Sequence, residues 1–527
     1  MKYMILRSFV FVLLAACSLP SLAKSNTDSN APIVSTRQGQ LRGIHVDSVC
    51  AWKGVPYAAP PIGAFRFRAP QPALAWTGIR DASKPGMISL QHKRTVRSKS
   101  EQSEDCLTLN IWSPAADGKK RPVMFWIHGG GFLVGSGSQE MYDGANLAKN
   151  NDVVVVNINY RLGALGFLYL DELKGKQEGF DNNIGIRDQI AALHWVRDNI
   201  AAFGGDPEAV TIFGESAGAI SVLTLMGVPS AKGLFKRAIV ESAPPESLLQ
   251  PKVATEMTKR FLGIMHVSPD SLSQLMTASP DSLMSAMYRL IEQLMVEPTT
   301  VKLIGPTIDG SLIPMDPMAA IESGKAAGID LLMGTNKDES TLLALKKVGL
   351  TPRNAEQLQP YLNNIAPESR KNLVAKYKEF PKRNGVMEMT TDGVFTMPSI
   401  RLCEMQSAHA ATYMYHFEWS SGAMNLVKLR SCHGAELPFV FGTLNKKPGK
   451  YFAIGSVKKK NWALSRNIQQ SWVNFARYGN PDPSGQSGWT AYSSTGRSTM
   501  IFDTKSHAFT DPDSEHRIAW TGLSIFR

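Results

Sequence analysis

Ser216 stands at the centre of Gly214-Glu215-Ser216-Ala217-Gly218, directly after the apolar run 210–213 (VTIF) and before a second apolar run at 220–226. A serine at a turn from strand into helix is held in a strained backbone conformation, and glycines two residues to either side relieve the crowding. Its Oγ then projects from the end of the sheet, with the positive end of the following helix directed toward it. Nucleophilic attack on a carbonyl is the chemistry that uses such an oxygen. A second element, His128-Gly129-Gly130-Gly131-Phe132, follows the apolar run 122–128 (PVMFWIH). Acyl transfer develops negative charge on the carbonyl oxygen, and removing one backbone N–H that stabilises it costs about 10²–10³ in rate. Glycines let the backbone approach that oxygen without side-chain interference, so the expected donors are the N–H groups of Gly130, Gly131 and Ala217. A phosphate-cradling loop is the rival reading, but the Lys and Ser/Thr of a Walker motif are missing. His128 itself reads as a loop-shaping residue rather than a base.

A serine of this kind needs a base, and the base needs an orienting acid. On a strand–turn–helix serine the partners follow in the chain order acid, then histidine. The downstream histidines are His266, His409, His416, His433, His507 and His516. His409 lies in a helical stretch and His416 in the strand-like run 413–417, where a packed or surface histidine is the plainer reading. His433, in Ser431-Cys432-His433-Gly434, occupies a loop without periodicity ahead of 437–442, which suits a side chain that must reach a sheet edge. For the acid, Gly334-Thr335-Asn336-Lys337-Asp338-Glu339 follows the apolar run DLLM, at the strand end where sites in such sheets collect. The pattern leaves Asp338 and Glu339 tied, and a solvated charged turn is the plain alternative to both.

These residues need elements to position them. The runs 122–128, 153–160 (VVVVNINY), 210–213, 235–241 and 330–334 are short, apolar and rich in β-branched or aromatic residues. Strands buried on both faces make a mostly parallel sheet with helices on each side. Residues 188–203 (DQIAALHWVRDNIAAF) predict a helix, with Ile190, Leu193, Val196 and Ile200 at three- and four-residue steps and Gly204-Gly205 as a stop. The Met- and Ser-rich stretch 252–303 has helical spacing and no strand signal, so it reads as helices inserted over the sheet's upper edge.

Of 527 residues, 43% are hydrophobic and 19% charged, which excludes a mostly disordered or fibrous chain. At about 100–200 residues per domain, length alone suggests two to four domains. No repeat or low-complexity linker breaks the chain, however, and one large domain over 24–527 is the better reading. Residues 1–23 look like a signal peptide, with Lys2 and Arg7 ahead of the apolar stretch 5–16. Ser21-Leu22-Ala23 is an acceptable cleavage site; Leu14-Ala15-Ala16-Cys17 instead resembles a lipoprotein box, which would remove 1–16 and acylate Cys17. Either route exports the protein: periplasmic, outer-membrane lipoprotein or secreted. Loss of Lys2 and Arg7 lowers the net charge from +12 to +10. The remaining Cys50, Cys106, Cys403 and Cys432 allow three disulfide connectivities, among which sequence does not choose; Cys50 with Cys106 and Cys403 with Cys432 is the more local. No C-x-x-C occurs, so neither a zinc ribbon nor a thioredoxin-like redox site is indicated.

Taken together, these residues resemble the type-B carboxylesterase family, which contains cholinesterases and bacterial carboxylesterases. The likeness runs from Lys53-Gly54-Val55-Pro56-Tyr57-Ala58, Pro60-Pro61-Ile62-Gly63 and Arg66-Phe67 through Ser103-Glu104-Asp105-Cys106-Leu107 to the HGGGF and GESAG segments. It continues with Asn159-Tyr160-Arg161, residues 334–339, His433 with Glu436-Leu437-Pro438-Phe439, and 472–481 (WVNFARYGNP). The resemblance implies an α/β-hydrolase fold with a helical insert over the active site, and carboxylic ester hydrolysis through an acyl-enzyme. It implies Ser216 as nucleophile, His433 as base and Glu339 as acid, which breaks the tie with Asp338. Glu215 and Ser242 match positions that support the histidine and its surroundings, and no metal or organic cofactor is implied.

Departures from the family set further expectations. Family members often pair the EDCL cysteine with one near a preceding Pro-Gly, but Lys84-Pro85-Gly86-Met87 has none, so Cys106 either pairs elsewhere or is a buried free thiol. The region that carries a choline-binding Trp in cholinesterases reads His92-Lys93-Arg94-Thr95-Val96-Arg97-Ser98-Lys99, which disfavours choline esters and offers steering of anionic esters beside a plain solvated face. Met257, Met265, Met276, Met284, Met287 and Met295 are expected to line the acyl pocket, where flexible side chains would suit varied acyl groups, although a stripe of this kind more often serves packing. The clusters Lys446-Lys447 and Lys458-Lys459-Lys460, or a lipid on Cys17, would bring the chain to a membrane; nucleic-acid binding has no supporting motif. Two alternatives are a non-catalytic adhesion module on the same fold, and a hydrolase of amides, thioesters or polymeric esters.

Overall fold

The computed structural model describes residues 30–92, 101–175, 179–294, 304–345 and 351–526. The leader 1–23 with Cys17, the basic loop 93–99 and Met295 lie outside the described residues. An eleven-stranded sheet runs through the molecule. In chain order its strands are β1 (Ile44–Val46), β2 (Val49–Pro56), β3 (Thr108–Ser113), β4 (Arg121–Ile127), β5 (Val154–Ile158), β6 (Gly205–Glu215), β7 (Arg237–Glu241), β8 (Asp330–Asn336), β9 (Thr412–Phe417), β10 (Ser498–Phe502) and β11 (His507–Thr510). Across the sheet they lie in the order β1-β2-β3-β5-β4-β6-β7-β8-β9-β10-β11. Pairing is parallel from β5 to β10 and antiparallel at the two ends. A small three-stranded sheet near the start of the described chain stands apart.

Each apolar run read from the sequence falls on one of the strands β4 to β8. Alternate residues of β4 enter different cores: Val123, Phe125 and Ile127 pack on one face, Met124 and Trp126 on the other. That period of two divides a continuous apolar run between two helical layers. The principal helices are α1 (Ile184–Asn199), α2 (Ala217–Gly227), α3 (Pro251–Met265), α4 (Pro280–Leu294), α5 (Met397–Ser407), α6 (Lys458–Tyr478) and α7 (Ser514–Ala519). α1 to α5 contribute to the first core, and α6, through Leu464, Ile468 and Trp472, to the second. The helix expected at 188–203 begins four residues earlier, and its last turn tightens to a 3₁₀ turn before Gly204 adopts a left-handed φ of 83°. Among the described residues, no helix is long and apolar enough to cross a membrane.

Two expectations are corrected here. Cys50, Cys106, Cys403 and Cys432 are all buried free thiols, so neither local disulfide forms. On the β2–β3 ladder Cys50 faces Ser113 while Thr108, next but one to Cys106, faces Pro56. Six residues of strand separate those positions, about 20 Å, far beyond the span of a disulfide. Cys403 and Cys432 belong to the two cores on opposite sides of the sheet. The described methionines of the insert are packing residues: Met257, Met284 and Met287 are buried in the first core, and Met265 and Met276 pack against it.

Helix α1 is tied to the segment after β5 by charge. Asp188 on α1 receives Arg161 through the backbone N–H at 3.1 Å, Nε at 2.9 Å and Nη2 at 2.6 Å, with both side chains buried. Removing one partner leaves the other charge uncompensated, which costs about 3–5 kcal/mol. Asp188→Ala is therefore expected to lower unfolding free energy by about that amount in chemical denaturation. Asp198→Ala, which breaks the exposed pair with Arg37, should cost under about 1 kcal/mol; equal effects would rule out burial as the cause.

Candidate active site

Ser216 begins where β6 ends. Its backbone adopts φ 57° and ψ −122°, a conformation that non-glycine residues avoid, and it serves as N-cap of α2. The Ser216 N–H donates to Glu241 O at 3.0 Å, which ties the turn to the end of the neighbouring strand β7. The turn fits because α2 passes unusually close to β4: a Cβ on Gly218 would lie 2.0 Å from Ile127 O. Only glycine permits that approach. The HGGGF loop leaves β4 on the same side. Gly130, at φ 116°, would drive a Cβ to within 2.0 Å of Val134 O, whereas the space beside Gly131 is open. His128 is buried, stacked on Tyr160 at 4.5 Å, with Nδ1 2.8 Å from Gly129 O. Burial lowers its pKa to about 4, so it stays neutral and shapes the loop, as its position suggested.

Glu339 and His433 arrive from farther along the chain. β8 delivers Glu339, which is fully buried. Its Oε1 accepts the Asn336 N–H at 2.7 Å and its Oε2 lies 2.6 Å from His433 Nδ1. Asp338 turns the other way, toward Arg430 at 3.4 Å, so geometry separates two residues that the pattern left tied. The loop carrying His433 is pinned to the ends of β8 and β9: Ser431 Oγ donates to Phe417 O at 2.8 Å, and Asn336 Nδ2 donates to Cys432 O at 2.9 Å. His433 Nε2 lies 3.1 Å from Glu215 Oε1. That contact acts through charge: the carboxylate stabilises the imidazolium form of the ring. Ser242, at φ 53°, donates its backbone N–H to Gly334 O, and its Oγ makes no hydrogen bond among the described residues.

Three buried glutamates, Glu215, Glu339 and Glu436, act on this histidine, and a fourth, Glu241, interacts with Glu436 and Glu215. Burial pushes the Glu215 carboxyl up to about 7, with His433 opposing and Glu339 adding to the rise. Burial, then Glu215 and Glu339, push Glu436 up to about 8. Glu241 is also raised by burial and by Glu436, although Trp472 Nε1 donates to it at 2.6 Å. For His433 burial alone would lower the pKa, but Glu215, Glu339 and Glu436 outweigh it and raise it to about 9.

Ser216, Ala217, Gly131 and His433 line one cavity of about 140 Å³, with Gly130 one residue behind Gly131. Its other walls are mostly apolar: Phe132, Ile220, Ile304, Leu343, Val394, Phe395 and Phe526. None of the described insert methionines is among them. Phe395 packs on His433 at 5.4 Å between ring centroids. No motif marks Val394, Phe395 or Phe526, which lie far from Ser216 in the chain and meet it only through folding.

A proton-competent histidine beside a strained serine, with glycine-rich backbone opposite, is the arrangement that acyl transfer requires. The family model "Carboxylesterase family" matches residues 30–520. The para-nitrobenzyl esterase of Bacillus subtilis is 38% identical over 499 residues, spanning 92% of this chain and 97% of that protein. A solved structure of a PNB esterase superposes with a TM-score of 0.84 at 35% identity, over 93% of this chain and 99% of that one. A Geobacillus stearothermophilus carboxylesterase gives 0.83 at 38% identity, over 93% and 99% respectively. This chain belongs to the carboxylesterase family, has its α/β-hydrolase fold, and is a carboxylic ester hydrolase.

Proposed function

We propose that Ser216, His433 and Glu339 carry out the hydrolysis, with the N–H groups of Gly130, Gly131 and Ala217 as the oxyanion hole. The observation that carries this reading is the 2.6 Å contact between His433 and buried Glu339 in a cavity shared with Ser216. Ser216 Oγ attacks the ester carbonyl while His433 Nε2 takes its proton. The tetrahedral oxyanion is held by backbone N–H groups, and His433 then returns the proton to the leaving alcohol. Water, deprotonated by the same nitrogen, cleaves the acyl-enzyme and restores Ser216. Glu339 fixes the ring tautomer and balances the imidazolium. Glu215, with its carboxylate 3.1 Å from Nε2, stabilises the protonated ring by charge. The cavity, close in size to an artificial one that admits benzene, suits esters carrying a compact apolar group. The name of the Bacillus subtilis relative supports p-nitrobenzyl esters as first substrates to try.

Ser216→Ala is expected to abolish hydrolysis of p-nitrophenyl acetate and butyrate, a loss of at least about 10³-fold, with unchanged folding. Activity surviving in that variant would exclude Ser216 as nucleophile. The base must be neutral to act, and a raised pKa keeps His433 protonated to higher pH. The acid limb of kcat/KM should therefore lie well above the 6.5 of an ordinary histidine. Glu215→Gln removes a carboxylate from Nε2 and should move that limb down by about one pH unit or more. An upward move, or none, would show that Glu215 does not set the base's protonation.

We further propose that 24–527 form one catalytic domain behind an exported leader, held at a membrane by a lipid on Cys17 or by a basic face. From 419 to 481 the chain carries ten Lys and Arg residues against one acidic residue, Glu436, which is buried. Leu426, Ile454 and Val457 are exposed in this same stretch, and the Ala423 N–H donates to Ile454 O, drawing their segments together. Lysines flanking protruding aliphatics suit an anionic lipid surface. Fractionation with N-terminal mass analysis tests this. A diacylated Cys17 in the membrane fraction, released by Cys17→Ser, is the expected result for the lipid route; binding lost at high salt is expected for the basic face. A mature N-terminus at Lys24 in a wholly soluble protein would refute both.

A further inference from the structure

One wall of the cavity comes from outside the sheet and its helices. After α7 the chain turns back, and Phe526 reaches the cavity at Ser216. The segment is fastened at two places. At the first, His516 Nδ1 lies 2.8 Å from Asp392 Oδ2, Tyr377 OH donates to the same oxygen at 2.6 Å, and Trp520 Nε1 donates to Tyr377 OH at 2.6 Å. Asp392 opens the π-helical turn Asp392–Thr396, whose Gly393, Val394 and Phe395 line the cavity. At the second, Arg401 bridges the segment to the cavity wall: Nη1 donates to Leu523 O at 3.0 Å and Nη2 to Glu246 Oε1 at 3.2 Å. Ser524 Oγ donates to the other oxygen of Glu246 at 2.5 Å.

Two residues beyond the second fastening, the Phe526 ring is closely packed. It packs on Tyr361 at 4.8 Å between centroids. A Cβ on Gly393 would lie 2.6 Å from Phe526 Cε2 and 2.5 Å from Trp520, so the ring rests directly on the backbone of the turn. A large, immobilised aromatic at the wall of a small cavity subtracts volume from whatever binds beside Ser216. Its hold depends on side-chain contacts rather than on the sheet, so this wall can vary without disturbing the catalytic elements.

We propose that Phe526, held by the Asp392 and Glu246–Arg401 fastenings, is a specificity-determining residue that limits the bulk of the ester group admitted beside Ser216. The proposal rests on the reading of this cavity as the ester site. The experiment compares kcat/KM for p-nitrophenyl acetate, butyrate, octanoate and benzoate, and for ethyl against 1-naphthyl acetate, in wild type, Phe526→Ala and Phe526→Trp. The ratio of the bulkiest ester to the smallest in at least one series should rise about tenfold or more in Phe526→Ala and fall in Phe526→Trp. Ratios unchanged in both series, in variants that melt at the wild-type temperature, would overturn the proposal. Should Phe526→Ala fail to fold, Phe526→Leu and Phe526→Trp decide it by the same ratios, with a rise in the first and a fall in the second. Loss of all Ser216-dependent hydrolysis in the wild type would instead defeat the site reading itself, and is told apart by the acetate control.

Discussion

His433 is a histidine that the protein has taken out of water, and the site depends on how its charge is balanced there. An imidazolium isolated in the interior would be too costly to form, and a base that cannot accept a proton is useless. Glu339 at 2.6 Å from Nδ1 makes the protonated ring tolerable and fixes the orientation of the ring. The same carboxylate could not serve if it were solvated, so it is fully buried and satisfied through the Asn336 N–H. Glu215 and Glu436 act on the pair by charge, and burial raises the proton affinity of both and of Glu241.

That balance requires the strand ends to be fixed within fractions of an ångström. β6, β7 and β8 lie side by side in parallel register, so Ser216, Ser242 and the 336–339 turn emerge at one level. The His433 loop is fastened to the same level from β9. Two aromatic-rich cores hold the sheet from both faces, and the backbone approach of α2 to β4 leaves no room for side chains at the turn. Rigidity at the elbow and variability at the wall coexist because they are built from different parts of the chain. The elbow is backbone packed on backbone, whereas the wall is a set of side chains.

Much of this was legible in the residues. The strand positions followed from apolar runs, Ser216 and the glycine loop from their spacing, and His433 from its aperiodic loop. Where the sequence reading failed, the cause was distance in space. Proximity along the chain suggested Cys50 with Cys106 and Cys403 with Cys432, but strand extension separates the first pair and the sheet itself the second. The methionines carry a composition suited to a binding surface, yet their helical spacing buries them in the core. Asp338 and Glu339 differ by one position, and only the turn after β8 decides which faces inward.

By itself, then, the sequence determined the chemical alphabet of the site: a serine on a tight turn, a glycine loop, a histidine and an acid at strand ends. Such signals are local, because turns, caps and strand periodicity act over a few residues. Tertiary structure alone decided the proton affinity of His433, which depends on carboxylates brought from β6, β8 and the loop before residue 437. It alone decided the shape of the cavity as well, since Phe395 and Phe526, far along the chain from Ser216, meet it only in the folded state. Burial and through-space charge scale with distance in three dimensions, and a linear sequence does not contain that distance.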